Sequence, residues 1–199
     1  MKDISIEQGW SRVHAIKVAQ LYEEAFGRKF LLAIPSRAQR IEILAKSFQP
    51  DFSFVAIKDG RIVGLAGFNV TSGSLTGGID AQGLINHLGL WSGLRACAIF
   101  GLYERAASKN QLVMDGIAVE SDSRGAGIGS LLLDAIIAYA TQEGYQSVRL
   151  DVIDSNPRAK RLYETKGFVA TKVEHFPYLK WLLGFSGSTT MLLKLDSKH

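Results

Sequence analysis

The sequence predicts a mixed α/β protein: a β-sheet with helices on both faces and a helical insert at residues 71–110. Three observations predict it. Two β-rich runs, Phe52–Lys58 and Arg61–Val70, flank Asp59-Gly60, a strong two-residue hairpin signal. After residue 110, strand-like and helix-like segments alternate, which argues for local parallel pairing beside that antiparallel hairpin. Finally, LVMDGIAVESDSRGAGIGSLLL (112–133) passes from a strand through a glycine-alternating loop straight into an apolar helix.

Taken in order, residues 3–8 form a short first strand. His14–Phe26 and Ser36–Phe48 are amphipathic helices, with Ser36 placed to cap the second. The hairpin at 52–70 follows, then the insert. Gln111–Val119 is the next strand, and a helix from about Ile128 to Glu143 ends at Gly144. Ser147–Ile153 is β-rich. Asn156 is positioned as an N-cap with Pro157 at the first helical position, where its missing N–H costs nothing. Ala159, Leu162 and Tyr163 make an apolar stripe at i, i+3, i+4, and Gly167 stops that helix. Strands at 168–175 and about Ser188–Leu195 complete the chain, which is expected to be one domain over residues 1–199.

The loop before the helix at 128 has a chemistry of its own. The first N–H groups of a helix lack intrahelical partners and the dipole there favours negative charge, so a glycine-rich strand-to-helix turn is an anion site made of backbone. Two kinds of phosphate loop match this spacing poorly. A Lys-Ser/Thr pair would have to follow the last glycine, where Ser130-Leu131 stands. A dinucleotide fingerprint needs Gly-x-Gly-x-x-Gly, whereas the glycines here are Gly125, Gly127 and Gly129. The pattern that does match is Arg/Gln-x-x-Gly-x-Gly/Ala, filled by Arg124, Gly127 and Gly129. A second block follows at 156–168, Asn-x-x-Ala-x-x-Leu-Tyr-x-x-x-Gly-Phe.

In this order and spacing the two blocks resemble those of the GNAT superfamily of N-acetyltransferases, over roughly residues 50–70 and 111–195. The resemblance implies a GNAT-like sheet of six or seven strands, splayed open between the strands at 111–119 and 147–153. It implies acetyl-CoA as cosubstrate and a primary amine as acceptor, attacked directly in a ternary complex. By the same resemblance the cofactor-binding residues are Ile117, Ala118 and Val119 of the strand, Arg124, Gly125, Ala126, Gly127, Ile128, Gly129 and Ser130 of the loop, and Asn156 and Tyr163 of the second block. A backbone N–H near Val119 is the candidate donor to the thioester carbonyl. Tyr163 aligns with the tyrosine that serves as general acid at the departing sulfur. Asp115 is the candidate base, with Glu120 and Asp151 as rivals and a water chain as a further route. Arg158, Lys160 and Arg161 line the helix of the second block, either as a solvated face or with one of them reaching a CoA phosphate. A regulatory module that binds acyl-CoA without turnover is the alternative reading.

Composition bounds the rest. The chain has 199 residues, enough for a sizeable core, and 47% of them are apolar. Its opening residues lack the basic, apolar and small-residue pattern of a secretory signal, so export is not expected, and a single cysteine, Cys97, fits a reducing cytoplasm. Its histidines lack metal-ligand spacing. A net charge of +4 suits an anionic cosubstrate, and no basic run with interleaved aromatics points to nucleic acid. The stretch at 83–103 is nearly apolar, but Arg95 near its middle would cost about 2.5–3.5 kcal/mol in a bilayer, so no transmembrane span is expected. Three other roles stand: one broken or two short helices over the substrate side, a homodimer contact, or a membrane-contacting surface. Trp91, Phe176, Tyr178, Trp181 and Phe185 are candidates for an apolar acceptor cleft, or else simply pack together.

Overall fold

A computed structural model describes residues 4–31, 33–78, 81–94, 96, 108–176 and 185–196. Its strands are β1 (Ile4–Gln8), β2 (Ser53–Lys58), β3 (Arg61–Val70), β4 (Gly73–Ser74), β5 (Gln111–Val119), β6 (Ser147–Ile153), β7 (Val169–His175) and β8 (Gly187–Lys194). Its helices are α1 (Ala15–Phe26), α2 (Arg37–Ser47), α3 (Ala81–Leu88), α4 (Ile128–Gln142) and α5 (Pro157–Thr165). The sheet runs β1-β2-β3-β5-β6-β8-β7, with the two-residue β4 added on β3. Seven strands thus make the continuous path, as expected, and the eighth is the short one that sequence reading leaves in the loop.

Local chemistry accounts for the element ends. Asp59 and Gly60 both adopt positive φ, as the tight hairpin turn requires. The Ser36 hydroxyl accepts from Gln39 N–H at 3.4 Å, and Asn156 Oδ1 accepts from Ala159 N–H at 3.1 Å. Both caps satisfy amides that the helix leaves without partners.

β3 is buried on both faces because helices cover both. Val55, Ile62 and Leu65 pack with Val18, Leu21 and Tyr22 of α1 and with Leu44 of α2. Ala56, Val63, Ala66 and Phe68 face the other way, against Ile128, Leu132, Leu133 and Ile136 of α4. A bulge at Ala56/Ile57 of the β2–β3 ladder resets the alternation, so that Ile62 and Leu65, three residues apart, reach the same face.

In the second half the order differs from simple β–α–β succession. β5 and β6 are parallel, as the alternation predicts, but over only three pairs, Gln111 with Ser147 through Val113 with Arg149. β8 then lies between β6 and β7, antiparallel to both. Beyond Val113 the strands β5 and β6 separate, and that separation makes the site.

Within the insert, residues 81–94 are helical apart from Gly89. α3 stops at Gly89, and residues 90–94 are helical again, in keeping with two short helices. Leu84, Leu88 and Ala96 pack with Ala33, Ile34 and Ile43, which docks the insert on the α2 side of the sheet. The polar stretch TSGSLTGG (71–78) that opens the insert contains β4 and plants Leu75 in the core beside α1 and β3. No helix among the described residues is long and apolar enough to cross a membrane. Arg95, Cys97, Tyr178 and Trp181 lie outside the described residues.

Candidate active site

The groove begins with a defect in a strand. In the β3–β5 ladder Gly67 faces Gly116 while Phe68 faces Met114, so Asp115 is an extra residue pushed out as a bulge. Gly116 sits there at φ +145, and an added Cβ would come within 2.6 Å of the Phe26 ring at the end of α1. Only glycine fits a backbone so twisted and so closely approached. Glu120 N–H donates to Val63 O at 2.9 Å, which sets the phase of the ladder. By alternation, residues 116, 118 and 120 turn their backbone groups to β3, while Ile117 and Val119 turn theirs into the opened side.

Next comes the loop. Gly127 takes a left-handed conformation as the cap of α4, and a Cβ there would meet nothing within 4 Å, so the space above it is open. The first α4 bonds are donated by Ser130 and Leu131, both to Gly127 O. The amides before them point out of the helix end, as the anion-site reading requires. Arg124 turns back on the strand: its Nε donates to Val119 O at 3.0 Å, and its Nη2 stands 3.5 Å from Glu24 Oε1 of α1. Arg158 of α5 comes from the other wall, its Nη2 3.9 Å from the position a Cβ on Gly125 would occupy.

These parts border one groove of about 790 Å³ between the diverging β5 and β6. Of the residues singled out in the sequence, Asp115, Ile117, Ala118, Val119, Arg124, Gly125, Gly127, Ile128, Gly129, Ser130, Asn156 and Tyr163 all line it. Ala126 does not. Arg158 lines it, whereas Lys160 and Arg161 do not. Phe185 lines it and meets Phe176 edge to face at 5.6 Å, but Trp91 is 83% exposed and stands away from it. Among the lining residues that sequence reading passed over are Glu24, Phe26 and Arg28, from α1 and the turn after it. Their one signal was that α1 ends in the glycine-containing stretch Phe26-Gly27-Arg28.

Electrostatics separates the rival acids. Glu120 is tied to Lys17 at 2.6 Å and is not part of the groove lining. Asp151 lines the groove, but its carboxylate accepts from Thr190 Oγ1 of β8 and stands 3.5 Å from Arg149 Nη2. Asp115 accepts from Asn69 Nδ2 at 3.4 Å and lies close enough to Tyr22 for its charge to raise that phenol's pKa, which burial already drives up. Tyr163 is buried on α5 against Phe168, and burial pushes its phenol up to about 12. At neutral pH it therefore holds its proton, as a general acid must.

Residues 16–168 match the acetyltransferase (GNAT) family. Over 79 residues the chain is 33% identical to a probable N-acetyltransferase family 8 member 5 of Mus musculus, covering 39% of this chain and 35% of that one. Over 59 residues it is 41% identical to an uncharacterized N-acetyltransferase of Schizosaccharomyces pombe, covering 30% of this chain and 36% of that one. The matched stretch spans only about a third of those relatives' length. An N-acetyltransferase structure from Staphylococcus aureus Mu50 superposes over 98% of this chain and 99% of that one, with a TM-score of 0.64 at 17% identity, and so shares the fold.

Proposed function

Because the chain belongs to the acetyltransferase (GNAT) family, we propose that it transfers an acetyl group from acetyl-CoA to a primary amine, by direct attack with both substrates bound. The observation that carries this reading is the groove itself. One border is a loop of outward amides with Arg124 and Arg158 beside it, and the other holds a bulged carboxylate and a buried neutral phenol. The open space over Gly127 fits a pyrophosphate, and the turned-out backbone of Ile117 and Val119 fits the amide-bearing pantetheine arm. Asn156 and Ser130 border the same path.

In this reading the Val119 or Ile117 N–H polarises the thioester carbonyl, and preorganised backbone donors are suited to that task. Asp115, through its bulge position, accepts the proton that the amine sheds as the N–C bond forms. Tyr163 gives its proton to the sulfur as the C–S bond breaks. The proton balance closes when solvent returns a proton to Tyr163 and takes one from Asp115. No covalent acyl-enzyme is needed.

Calorimetry of acetyl-CoA on wild type and on Gly127→Glu tests the reading. The variant puts a carboxylate where the phosphates would lie, so binding should weaken by tenfold or more at unchanged circular dichroism, since ~1.4 kcal/mol is already tenfold. Equal affinity in the two proteins would sink the assignment of the loop. Binding without turnover of any amine would favour a regulatory acyl-CoA module.

A further inference from the structure

The groove contains three guanidiniums, and they do not share one place. Arg124 and Arg158 stand at the loop, against Val119 O and Glu24 in the first case and beside Gly125 in the second. Arg28 is the third. The run of α1 carries it away from the loop: Glu24 reaches Arg124, Phe26 two residues on covers Gly116, and Arg28 follows in the next turn. The chain therefore advances from the loop toward the bulge, opposite to the direction of β5. Four other cations on or facing α1 are each held by an acid. Lys17 pairs with Glu120, Arg37 and Arg40 with Glu23, and Arg124 with Glu24. Among the described residues Arg28 has no carboxylate partner. It is exposed and lines the same groove as the bulged Asp115.

We propose that the acceptor is a primary amine that also bears a carboxylate, and that Arg28 binds this carboxylate while the amine lies at the bulge. The proposal rests on the acetyltransferase reading above and narrows its acceptor. A planar guanidinium matches a carboxylate with two parallel hydrogen bonds. A monoanion fits better than a phosphate dianion, because Glu24, Asp115 and Asp151 already place three acids on the same groove. Phe26 and Phe185 supply flat apolar walls for the carbon chain between the two polar ends.

The test is steady-state acetylation of ω-amino carboxylates of increasing chain length, each beside its own carboxamide. Replacing the carboxylate removes the charge and leaves the amine in place. At the chain length that fits, wild type should favour the carboxylate by about tenfold or more in kcat/KM, the factor expected of a charge-assisted hydrogen bond. Arg28→Gln should erase that preference through the acceptor KM, Arg28→Lys should keep part of it, and neither should change the KM for acetyl-CoA. Equal rates for acid and amide in wild type, or no turnover of any carboxylate, would overturn the proposal. So would an Arg28→Gln that raises the acetyl-CoA KM, which would assign the guanidinium to the cosubstrate. Failure of the underlying reading is distinguishable: there, acetyl-CoA would not bind the wild-type protein at all.

Discussion

Glu23 and Arg40 form a buried ion pair whose loss should be costly out of proportion to its place far from the loop. Arg40 is 5% exposed and Glu23 6% exposed. Arg40 donates from Nε and Nη2 to Glu23 Oε1, at 3.1 and 2.6 Å, and from Nη1 to the carbonyls of Ile34 and Pro35, at 2.6 and 2.9 Å. Arg37 holds the other oxygen of Glu23, but it is 62% exposed. Arg40→Met leaves a buried carboxylate with one solvent-screened partner and strips two carbonyls of their donor. Breaking one side of such a pair costs about 3–5 kcal/mol. With a urea slope of roughly 1–3 kcal/mol per molar, the midpoint should fall by about 2 M. Arg37→Met should move it little, because water screens that contact. The double variant Glu23→Leu with Arg40→Met should cost much less than the two singles added, since no charge is left stranded. Equal midpoints for Arg37→Met and Arg40→Met, or additive losses in the double variant, would refute the reasoning.

The same pair has a pH signature. Burial raises the Glu23 carboxyl, but the hydrogen bonds and charges of Arg37 and Arg40 outweigh it and hold its pKa below the usual 4.5. That stabilisation is complete above 4.5 and is lost as pH falls through the lower folded value, so acid unfolding should be shallower in Glu23→Gln than in wild type. Tyr163→Phe should lower kcat by about a hundredfold while acetyl-CoA affinity holds, measured by pre-steady-state turnover and calorimetry. Because its phenol is pushed up to about 12, wild-type activity should show no loss from Tyr163 ionisation between pH 7 and 10, and a limb in that range that vanishes in Tyr163→Phe would refute the burial-raised phenol. Gly116→Ala should destabilise by roughly 2–5 kcal/mol, combining strain at φ +145 with displacement of the Phe26 ring, and a thermal midpoint equal to wild type would count against the bulge geometry.

What the sequence reveals and what it hides follow from the range of the interactions involved. Caps, the Asp59-Gly60 turn and the glycine loop are local, and each was legible because a few neighbouring residues decide it. Gly116 inside a strand carried a signal too, since an isolated strand glycine marks a bulge or a close approach. Only the structure shows that it is both, with Asp115 displaced and Phe26 overhead. Glu23 and Arg40 read as ordinary charges on helix surfaces, because nothing local says that two helices will bury them against each other. The lining by Phe26 and Arg28 was hidden for the same reason: it depends on where α1 lands across β5.

The placement of β8 between β6 and β7 has a bearing on how the protein is made. A strand later in sequence than both its neighbours must enter a slot between them, and β6 is one wall of the groove. During synthesis the loop, α4 and α5 emerge first, while β6 keeps a bare hydrogen-bonding edge until residues 187–194 arrive. The glycine-rich loop can therefore be formed in a nascent chain that has no finished groove. In that interval, pairing of the β6 edge with another chain competes with its proper closure.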